Sequence, residues 1–386
     1  MSNEWNTKVV DFFEQAAEKI EILSDKRVNK SRVDFMKCVT AGMILGRSVQ
    51  FCEIADKMND AVEVRSNERR IQHFIAEYDL DMEWVMLLLL LMLPKHGKVN
   101  ICLDRTTWAF GSQTHNILVV SIYTHGIGIP VWFECLDNEG GASEADDRMY
   151  LLLNCIKFFG KARIKCVIGD CEFIGKKWID FLVQEKIHFY LDLPCSKKFI
   201  YRGKEQQIRT WVHGIKKKSL DGVEIYGHVL NICIQKQKPS KSYRKHKAIL
   251  AILTDNKSAQ AGGNYRNRWS IEVLFENLKL RGFDLECTHL KDPPRLRKLF
   301  ALCAIAFTIC FLTGLALNKK KPIAVKNHGY KSNSFFRHGL DFIRKALRNT
   351  GEGNLKTKIK EGVDYIFDFI GKIIHDNFLV LQKIVV

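Results

Sequence analysis

The chain has 386 residues, of which 46% are hydrophobic, so it can bury a sizeable core and is predicted to be a globular protein of about two or three structural units. Its 60 Lys and Arg residues against 43 Asp and Glu give a net charge of +17, which favours nucleic acid over a membrane as the partner. Twelve cysteines without a Cys-x2-Cys pair or a preceding signal peptide predict reduced thiols in a cytosolic protein, and exclude a disulfide framework.

Residues 1–95 are predicted to form a helical domain, because apolar side chains recur there at helical spacing. Its predicted role, the binding of DNA ends, depends on the helix-turn-helix pattern of two of its segments. Two of its segments have the spacing of a helix-turn-helix: 51–58 and 66–74. In the second segment Ser66 is a candidate N-cap, and Arg69 and Arg70 are available to a DNA groove. Packing of three helices without DNA contact explains the same pattern, and the sequence leaves both interpretations open.

The apolar period changes near residue 98, and residues 96–194 are predicted to contain strands and helices in alternation. The predicted strands are 99–103, 116–123, 128–134, 164–168 and 188–193, and the predicted helices are 143–159 and 174–184. Their order, β-β-β-α-β-α-β, is that of a ribonuclease H-like α/β core. Asp104 follows the first predicted strand and Asp170 the fourth, so both carboxylates are expected at strand ends.

A basic segment delays the final helix of such a core. Residues 196–247 contain 14 Lys or Arg against 3 acids, with strand-like stretches at 223–234 and 248–253. Residues 195–260 are therefore predicted to be a β-strand insertion before a catalytic helix that begins near Ala261. The charge predicts a DNA-facing surface, although solvated Lys-rich loops have the same composition.

The helix predicted over residues 265–279, here the signature helix, carries four functional side chains. At about 100° per residue, an α-helix places Tyr265, Arg268, Glu272 and Lys279 within an arc of roughly 60°. A carboxylate flanked by two cations and a phenol suits the task of holding a divalent cation beside a nucleic-acid phosphate. On the charges alone, an exposed charged helix face is the alternative.

The 19 residues 299–317 contain no charge and are long enough to span a membrane. They come directly after the signature helix, where an α/β core needs a helix that is buried on all sides, so we expect a buried helix and no membrane. Residues 261–318 are thus predicted to complete the core with the catalytic helix and this buried helix. Residues 319–386 are predicted to be a basic C-terminal helical region.

The spacing Tyr-x2-Arg-x3-Glu-x6-Lys in the signature helix resembles that of the hairpin-forming DDE transposases of bacterial insertion sequences, the insertion-sequence-four group. Two further blocks are similar to blocks of that family and stand in the same order: Asp104-Arg105-Thr106 and Asp170-Cys171-Glu172-Phe173. The resemblance covers about residues 30–345. Cys171 departs from the family pattern, which usually has Arg at this position.

The resemblance implies that Asp104, Asp170 and Glu272 are the catalytic residues. They would hold two Mg²⁺ ions, with Mn²⁺ as an alternative, and the protein would catalyse phosphoryl transfer on DNA. Glu276 lies near the same helical stripe and is the second candidate for the third carboxylate.

The resemblance further implies that Tyr265, Arg268 and Lys279 hold the terminal phosphates of the element's end. Trp269 is expected either to stack on a displaced base or to pack under the helix. The predicted DNA-binding residues are, in full, Tyr265, Arg268, Lys279, Trp269, Arg105, Arg69 and Arg70.

The predicted function is cut-and-paste transposition of an insertion sequence by strand cleavage, hairpin formation and strand transfer. The implied partners are double-stranded DNA, as the inverted-repeat ends of the element and as target, and a second copy of the chain in a synaptic homodimer. The expected location is the bacterial cytoplasm, at the nucleoid. The alternatives are a structure-specific ribonuclease H-like nuclease and a catalytically inactive DNA-binding inhibitor of transposition.

Overall fold

The computed structural model describes residues 4–58, 62–94, 97–136, 141–211, 216–236, 249–327, 329–348 and 354–385. Its centre is a large mixed β-sheet, against which helices from both ends of the chain pack. Buried apolar side chains of the sheet and the helices form one continuous hydrophobic cluster. The α/β class predicted from the sequence is therefore confirmed.

The N-terminal part is helical, as predicted. Its helices are α1 (Glu4–Ser24), α2 (Lys30–Gly46), α3 (Phe51–Ala55), α4 (Val64–Glu77) and α5 (Met82–Leu91). The buried residues of α4, among them Ile71 and Phe74, recur at helical spacing and face the neighbouring helices. Its opposite face is exposed and carries Arg69 and Arg70.

The start of α4 differs from the prediction. The helix begins at Val64, with Glu63 in the cap position, so Ser66 lies in the first turn and its prediction as the N-cap is wrong. Val64 and Arg65 extend the helix ahead of Ser66, because the carbonyl oxygen of Glu63 accepts from the backbone N–H groups of Ser66 and Asn67 without a capping side chain. Of the residues 59–65 expected to form the turn before this helix, 59–61 lie outside the described residues, and Val64 and Arg65 belong to the helix.

The first half of the sheet has the predicted order of elements. It contains β1 (Val99–Phe110), β2 (Gln113–Thr124), β3 (Ile127–Cys135), α6 (Ala145–Phe159), β4 (Ile164–Gly169), α7 (Lys176–Gln184) and β5 (Phe189–Asp192). The strands lie side by side as β3-β2-β1-β4-β5, with β1, β4 and β5 parallel and with β2 antiparallel to both of its neighbours. This arrangement confirms the predicted ribonuclease H-like core.

Strand β1 does not end before Asp104, as the sequence predicted, but continues through it to Phe110. Its parallel pairing with β4 stops at Leu103, whereas its antiparallel pairing with β2 continues to the end. The apolar run ends where one neighbour is lost, and the hydrogen bonds to the other neighbour keep the strand extended. Asp104 thus lies inside a strand, at the point where β1 and β4 separate.

The insertion continues the same sheet. Its strands are β6 (Lys198–Tyr201), β7 (Lys204–Gln207), β8 (Lys217–Ile225), β9 (His228–Lys236) and β10 (Ile249–Thr254). Because β10 pairs with β5, the sheet extends as β5-β10-β9-β8-β6-β7 and reaches ten strands within the described residues. Part of the predicted basic segment, residues 212–215 and 237–248, lies outside them.

The stretch 223–234, predicted as one strand, is a hairpin of β8 and β9. The chain reverses at Tyr226 and Gly227, both with positive φ (58° and 87°). Two positive φ values define the tight turn that matches the twist of a hairpin, and glycine adopts this conformation without steric cost. The apolar pattern of the two strands runs on across the turn, which is why the sequence did not reveal it.

The signature helix is not one continuous α-helix, and this prediction is wrong. Helix α8 (Ser258–Tyr265) leads through a 3-10 turn (Arg266–Arg268) into α9 (Trp269–Leu278), which ends in a wide π turn (Lys279–Phe283). In the π turn Gly282 lies so close to the carbonyl oxygen of Asn277 that a side chain at this position would overlap it. Glycine therefore permits the wide turn that closes the helix.

The apolar run 299–317 lies inside α10 (Pro293–Lys320), whose first turn is capped by the carboxylate of Asp292. Within the described residues this is the one helix long and apolar enough to cross a membrane, and its whole apolar window is buried inside the protein. The predicted buried helix is confirmed. Two further helices, α11 (Phe335–Arg348) and α12 (Asn354–Val385), pack against it.

Candidate active site

Asp104 and Asp170 are neighbours across two parallel strands. Leu103 of β1 pairs with Gly169 of β4, so the next residue of each strand is a carboxylate at the point where the strands separate. A side chain at Gly169 would contact the ring of Phe173 at 2.9 Å, and glycine lets the chain turn closely beneath this ring. Asp170 accepts a hydrogen bond from the backbone N–H of Glu172 at 2.8 Å, which fixes the turn that follows β4.

The third carboxylate comes from α9, which packs on the face of strands β1 to β3. Ile271, Leu274 and Leu278 recur at helical spacing and are buried against the sheet. The thiol of Cys102 donates to the carbonyl oxygen of Asn267 at 3.5 Å and ties β1 to the 3-10 turn before α9. These contacts direct Glu272, on the next face of α9, toward the carboxylate of Asp104.

Arg268 joins two of the three carboxylates. It donates from Nη1 to Oδ2 of Asp104 at 3.2 Å and from Nη2 to Oε1 of Glu272. Burial lowers the pKa of Arg268, but Tyr265 and the carboxylates oppose this effect and raise it above its ordinary value. The guanidinium therefore stays charged and neutralises part of a strongly negative site.

Asp104 has an unusual acidity. Burial raises its pKa, the nearby charge of Asp170 raises it further, and Arg268 opposes both effects, with the result that the pKa of Asp104 is about 7. One oxygen of its carboxylate also accepts from the backbone N–H of Arg105 at 2.8 Å. Two buried carboxylates that repel each other are a frequent feature of active sites.

Glu276, the second candidate for the third carboxylate, is directed elsewhere. Its carboxylate pairs with Arg281 at 2.5 Å and is 44% exposed. Glu272, in contrast, shares Arg268 with Asp104. The geometry therefore groups Glu272, and not Glu276, with the two aspartates.

Glu172 organises the surroundings of Asp170, and the sequence did not reveal this role of Glu172. It accepts from Nε of Arg105 at 2.8 and 2.9 Å, and from the backbone N–H and the hydroxyl of Ser143 at 3.0 and 2.9 Å. Burial raises the pKa of Glu172, but these hydrogen bonds lower it below its ordinary value. A sequence signal existed, because Glu172 belongs to the same block as Asp170 in the resemblance to transposases.

Arg105, predicted to bind DNA, is thus engaged within the protein. Besides Glu172 it donates to the side-chain oxygen of Asn116 at 2.9 Å, and its own side chain is 15% exposed. The amide of Asn116 in turn donates to the carbonyl oxygen of Gly141. Arg105 connects β1, β2 and the segment before α6, and this geometry leaves it little freedom to reach a ligand.

Tyr265 and Lys279, predicted to hold DNA phosphates, also have contacts within the protein. Tyr265 is 7% exposed, and burial raises the pKa of its hydroxyl far above the ordinary value. Lys279 donates to the carbonyl oxygen of Thr107 at 3.1 Å and pairs with Glu286 at 2.7 Å. Neither residue presents a fully open functional group.

Trp269 is 52% exposed, so its predicted packing under the helix is wrong and its other predicted role, stacking on a base, remains. The ring borders a cavity of about 270 Å³ that Tyr265 and Arg268 also line. The other lining residues are Gln235, Leu250, Gly262 and Arg266. An aromatic ring beside a cavity next to the carboxylates can receive a flat ligand.

Arg69 and Arg70 lie on the exposed face of α4. The guanidinium of Arg70 stands over the ring of Phe35 at 5.2 Å. No described hydrogen bond or ion pair joins either arginine to Asp104, Asp170 or Glu272. They belong to a surface of their own on the N-terminal helices.

The donor chemistry of the three carboxylates fits a hard divalent cation, because they supply only oxygen ligands. Across the described ranges, no three His, Cys, Asp or Glu side chains stand close enough together to hold a metal ion. The guanidinium of Arg268 lies between two of the carboxylates and bridges Asp104 and Glu272. A cation that joined all three carboxylates would have to take the place of this guanidinium.

The three carboxylates lie within a segment of the chain that matches a known protein family. Residues 95–309, which include all three, match the family described as the transposase DDE domain. Among solved structures, a cryo-electron microscopy structure of the piggyBac transposase synaptic complex with hairpin DNA is similar, at 13% identity and a TM-score of 0.44. The similarity covers 88% of this chain and 77% of that one. No curated protein matches the chain.

Proposed function

Because the chain belongs to the DDE transposase family, whose members are nucleic-acid phosphoryl-transfer enzymes, we propose that it is a Mg²⁺-dependent cut-and-paste transposase of the insertion-sequence-four group. It would cleave one strand at the end of its element, use the freed 3′-hydroxyl to form a hairpin on the other strand, reopen the hairpin and join the 3′ ends to target DNA. One observation carries this proposal: Asp104 and Asp170 are neighbours, and Glu272 is joined to Asp104 through Arg268.

In this proposal Asp104, Asp170 and Glu272 hold the divalent cations. When bound, two Mg²⁺ ions activate the attacking oxygen and stabilise the leaving oxygen of the transferred phosphate. The paired strands β1 and β4 carry the two aspartates side by side, and α9 carries the glutamate on the face of the same sheet. Positioning by rigid elements suits a reaction in which the protein forms no covalent intermediate.

Arg268 has two roles in the proposed reaction. Without a metal it compensates the charge of Asp104 and Glu272, and in the loaded site its guanidinium is released to grip a DNA phosphate. Arginine suits this exchange because its planar fork binds carboxylate and phosphate oxygens with the same geometry. Lys279 and Tyr265 would then border the same phosphates from either side.

Trp269 would receive a base displaced from the duplex during hairpin formation. Its exposed ring and the adjoining cavity support this role. Stacking on an aromatic ring contributes about 1–3 kcal/mol per base and tolerates any base. The gain would compensate part of the cost of removing a base from the stack.

Cys171 does not prevent this function but changes its details. It stands where the resembling family usually has Arg, and its nearest basic neighbours along the chain, Lys176 and Lys177, are paired with Asp180 and Asp146. A lysine that contacted a phosphate at this position would first have to leave its carboxylate partner, although such an exposed ion pair is weak. We infer that this part of the DNA is held less tightly than the phosphates near Arg268.

The test uses linear DNA that carries the sequences flanking the coding region, where the proposal expects inverted-repeat ends, together with a supercoiled target plasmid. With Mg²⁺ we expect a nicked strand, a hairpin and a target-joined product, and we expect Asp104→Ala or Glu272→Ala to abolish all three. Glu276→Ala is the matched control and should retain them. Cleavage without a joined product would instead identify a nuclease, and binding without cleavage an inhibitor.

The proposed partners are two DNA ends and a second copy of the chain, which meet in a synaptic complex at the nucleoid of a bacterial cell. Sedimentation of the protein with end-bearing DNA tests this arrangement. We expect a complex of two protomers and two ends, whereas a complex of one protomer and one end would contradict the homodimer.

A further inference from the structure

A group of arginines lies beyond the far end of α9, outside the carboxylate site. Its members come from three separate segments: Arg47 from the end of α2, Arg281 from the π turn, and Arg337, Arg344 and Arg348 from α11. Arg337, Arg344 and Arg348 recur at intervals of seven and four residues, so they share one face of α11. We call these five residues the arginine surface.

Direct contacts hold these segments together. Arg47 donates from Nη2 to the carbonyl oxygen of Arg281 at 2.9 Å, and α11 packs on α2. A side chain at Gly282 would come within 2.9 Å of the Phe336 ring, which shows that the π turn also lies against the start of α11. The arginine surface is thus a defined region of the fold and not a set of independent loops.

The positive charge of this surface is only partly compensated. Two of its arginines have acidic partners: Arg337 pairs with Asp341 at 2.8 Å, and Arg281 pairs with Glu276 at 2.5 Å. Within the described part of the chain, no ion pair joins Arg47, Arg344 or Arg348 to an acid. Among the described residues, these three guanidinium groups therefore have no carboxylate partner.

The arginines also act on one another. Burial lowers the pKa of Arg344, and the charges of Arg348, Arg47 and Arg337 lower it further, against the opposing charge of Asp341. In addition, the Nε atoms of Arg47 and Arg344 are buried without a hydrogen-bond acceptor among the described residues. Like charges held together with unsatisfied donors are costly unless an anion accepts them.

The position of the surface relative to the carboxylates suggests which anion this is. Arg281 follows Glu272 by nine residues along α9 and its π turn, which is roughly 13 Å at the rise of an α-helix. A duplex rises 3.4 Å per base pair on each strand, so this separation corresponds to about four base pairs. Arg344 and Arg348 stand one turn apart, with Cβ atoms about 6 Å from each other, and can grip neighbouring phosphates.

We propose that the arginine surface binds the sugar–phosphate backbone of duplex DNA about four base pairs from the bond that the carboxylates cleave. This inference rests on the proposed function for the identity of the partner and of the cleaved bond. The surface reads no bases and sets the position of the duplex on the protein. The guanidinium groups of Arg47, Arg344 and Arg348, which have no carboxylate partner among the described residues, make the phosphate contacts.

The experiment measures binding of the full-length protein to end-bearing duplex DNA in EDTA, at several salt concentrations. Each lost phosphate contact lowers the slope of log K against log salt by about 0.9. For Arg344→Gln/Arg348→Gln we expect a slope lower by about 2 and an affinity weaker by roughly 10- to 100-fold at 100 mM salt. Lys165→Gln/Lys372→Gln removes two exposed cations from other parts of the chain and should change neither quantity.

A further variant separates electrostatics from folding. Arg344→Lys/Arg348→Lys keeps both charges and should retain a slope close to that of the wild type. In ethylation interference, the wild type should be sensitive to phosphates about three to five steps from the cleaved bond, and the glutamine variant should lose this sensitivity. A lysine variant that folds normally but binds like the glutamine variant would overturn the proposal.

The outcomes distinguish the surface from the proposed function. In one outcome the wild type binds duplex DNA, the glutamine variant shows the expected loss, and the wild type does not cleave in Mg²⁺. This outcome supports the arginine surface and contradicts the transposase activity. Wild-type protein that cleaves, with a glutamine variant that binds as the wild type does, overturns the surface alone. Failure of the wild type to bind duplex DNA at low salt overturns the surface as well.

Discussion

Arg268 donates to Asp104 across the gap between α9 and β1, at 3.2 Å, and both side chains are 14% exposed. This single contact connects the helix that carries Glu272 to the sheet that carries the two aspartates. It also means that the metal-free site contains its own cation. The charge of the site is therefore compensated in the absence of metal, and the effect of removing this cation can be measured.

Arg268→Gln should destabilise the metal-free protein. Breaking a buried ion pair by removing one partner costs about 3–5 kcal/mol, because the other charge is left without compensation. At pH 8 in EDTA we expect the free energy of unfolding in urea to fall by roughly this amount, and Mg²⁺ to restore more stability to the variant than to the wild type. Arg266→Gln, at an exposed neighbouring position, is the control and should change stability little. An equal Mg²⁺ response in both proteins would contradict the idea that Arg268 and the metal compete.

The pKa of Asp104 predicts a pH dependence of stability. Its ordinary value is 3.8 and its value in the fold is about 7, so between these pH values the native state holds a proton that the unfolded chain has lost. Protonated Asp104 therefore stabilises the native state relative to the ionised form. This contribution to the free energy of unfolding is fully present below about pH 4, decreases as the pH rises and is lost above about pH 7.

Asp104→Asn tests this dependence, because an amide does not titrate. In EDTA, the free energy of unfolding of the wild type relative to the variant should fall by a few kcal/mol, on the order of 1.4 kcal/mol for each pH unit of the window, and then become constant. Glu276→Gln, at an exposed carboxylate, should run parallel to the wild type. A wild-type curve parallel to that of Asp104→Asn would show that the carboxylate is ionised throughout.

Glu172→Gln should weaken the frame around Asp170. The pKa of Glu172 is lowered in the fold, so its contribution to stability is present above its ordinary value of 4.5 and is lost as the pH falls below it. At pH 7 we expect a loss of about 2 kcal/mol in the free energy of unfolding, because two charge-assisted interactions become neutral. The difference from the wild type should shrink toward pH 4, whereas Glu224→Gln, on an exposed strand position, should show no such difference.

The same variant tests whether Glu172 positions the site. If it holds β1 and the turn after β4 in place through Arg105, cleavage by Glu172→Gln should become slower while DNA binding is unchanged. Misplacement of reacting groups acts on the rate and not on ground-state binding. Equal losses in both measurements would indicate a general structural effect.

Much of this fold follows from patterns that the sequence contains. Buried strands with flanking helices gave the order of the ribonuclease H-like core, and an uncharged run of 19 residues next to a charged helix predicted the buried helix α10. Such patterns report burial, which is what decides these elements. The DDE family was also recognisable, because Asp104, Asp170 and Glu272 stand in blocks of fixed spacing.

What the sequence did not predict depends on pairing between distant residues. The continuation of β1 beyond Asp104 depends on β2, and the tight turn at Gly227 divides an unbroken apolar pattern. The contacts of Arg105 with Glu172, and of Arg268 with Asp104, join residues 67 and 164 positions apart. Periodicity contains no information about such partners. An arginine that pairs with a carboxylate inside the protein cannot be distinguished in the sequence from one that binds a ligand.

The crossing of α10 and α11 should depend on two glycines. A side chain at Gly339 would overlap the carbonyl oxygen of Cys310, and one at Gly314 would overlap that of Phe335, so the two helix backbones are in direct contact. Gly339→Ala must push the helices apart, and we expect the free energy of unfolding to fall by at least about 3 kcal/mol. Because α11 carries Arg344 and Arg348, the variant should also bind duplex DNA more weakly.

Gly371→Ala in α12 is the matched control, with an effect of opposite sign. A Cβ at Gly371 meets no atom within 4 Å, and the residue lies inside a helix. Replacing such a glycine reduces the freedom of the unfolded chain, so this variant should be more stable by about 0.5–1 kcal/mol. Thermal and urea unfolding of the two variants should therefore shift in opposite directions from the wild type. If Gly339→Ala were as stable as Gly371→Ala, the close crossing of α10 and α11 would be wrong, and with it the placement of α11 against the π turn that follows α9.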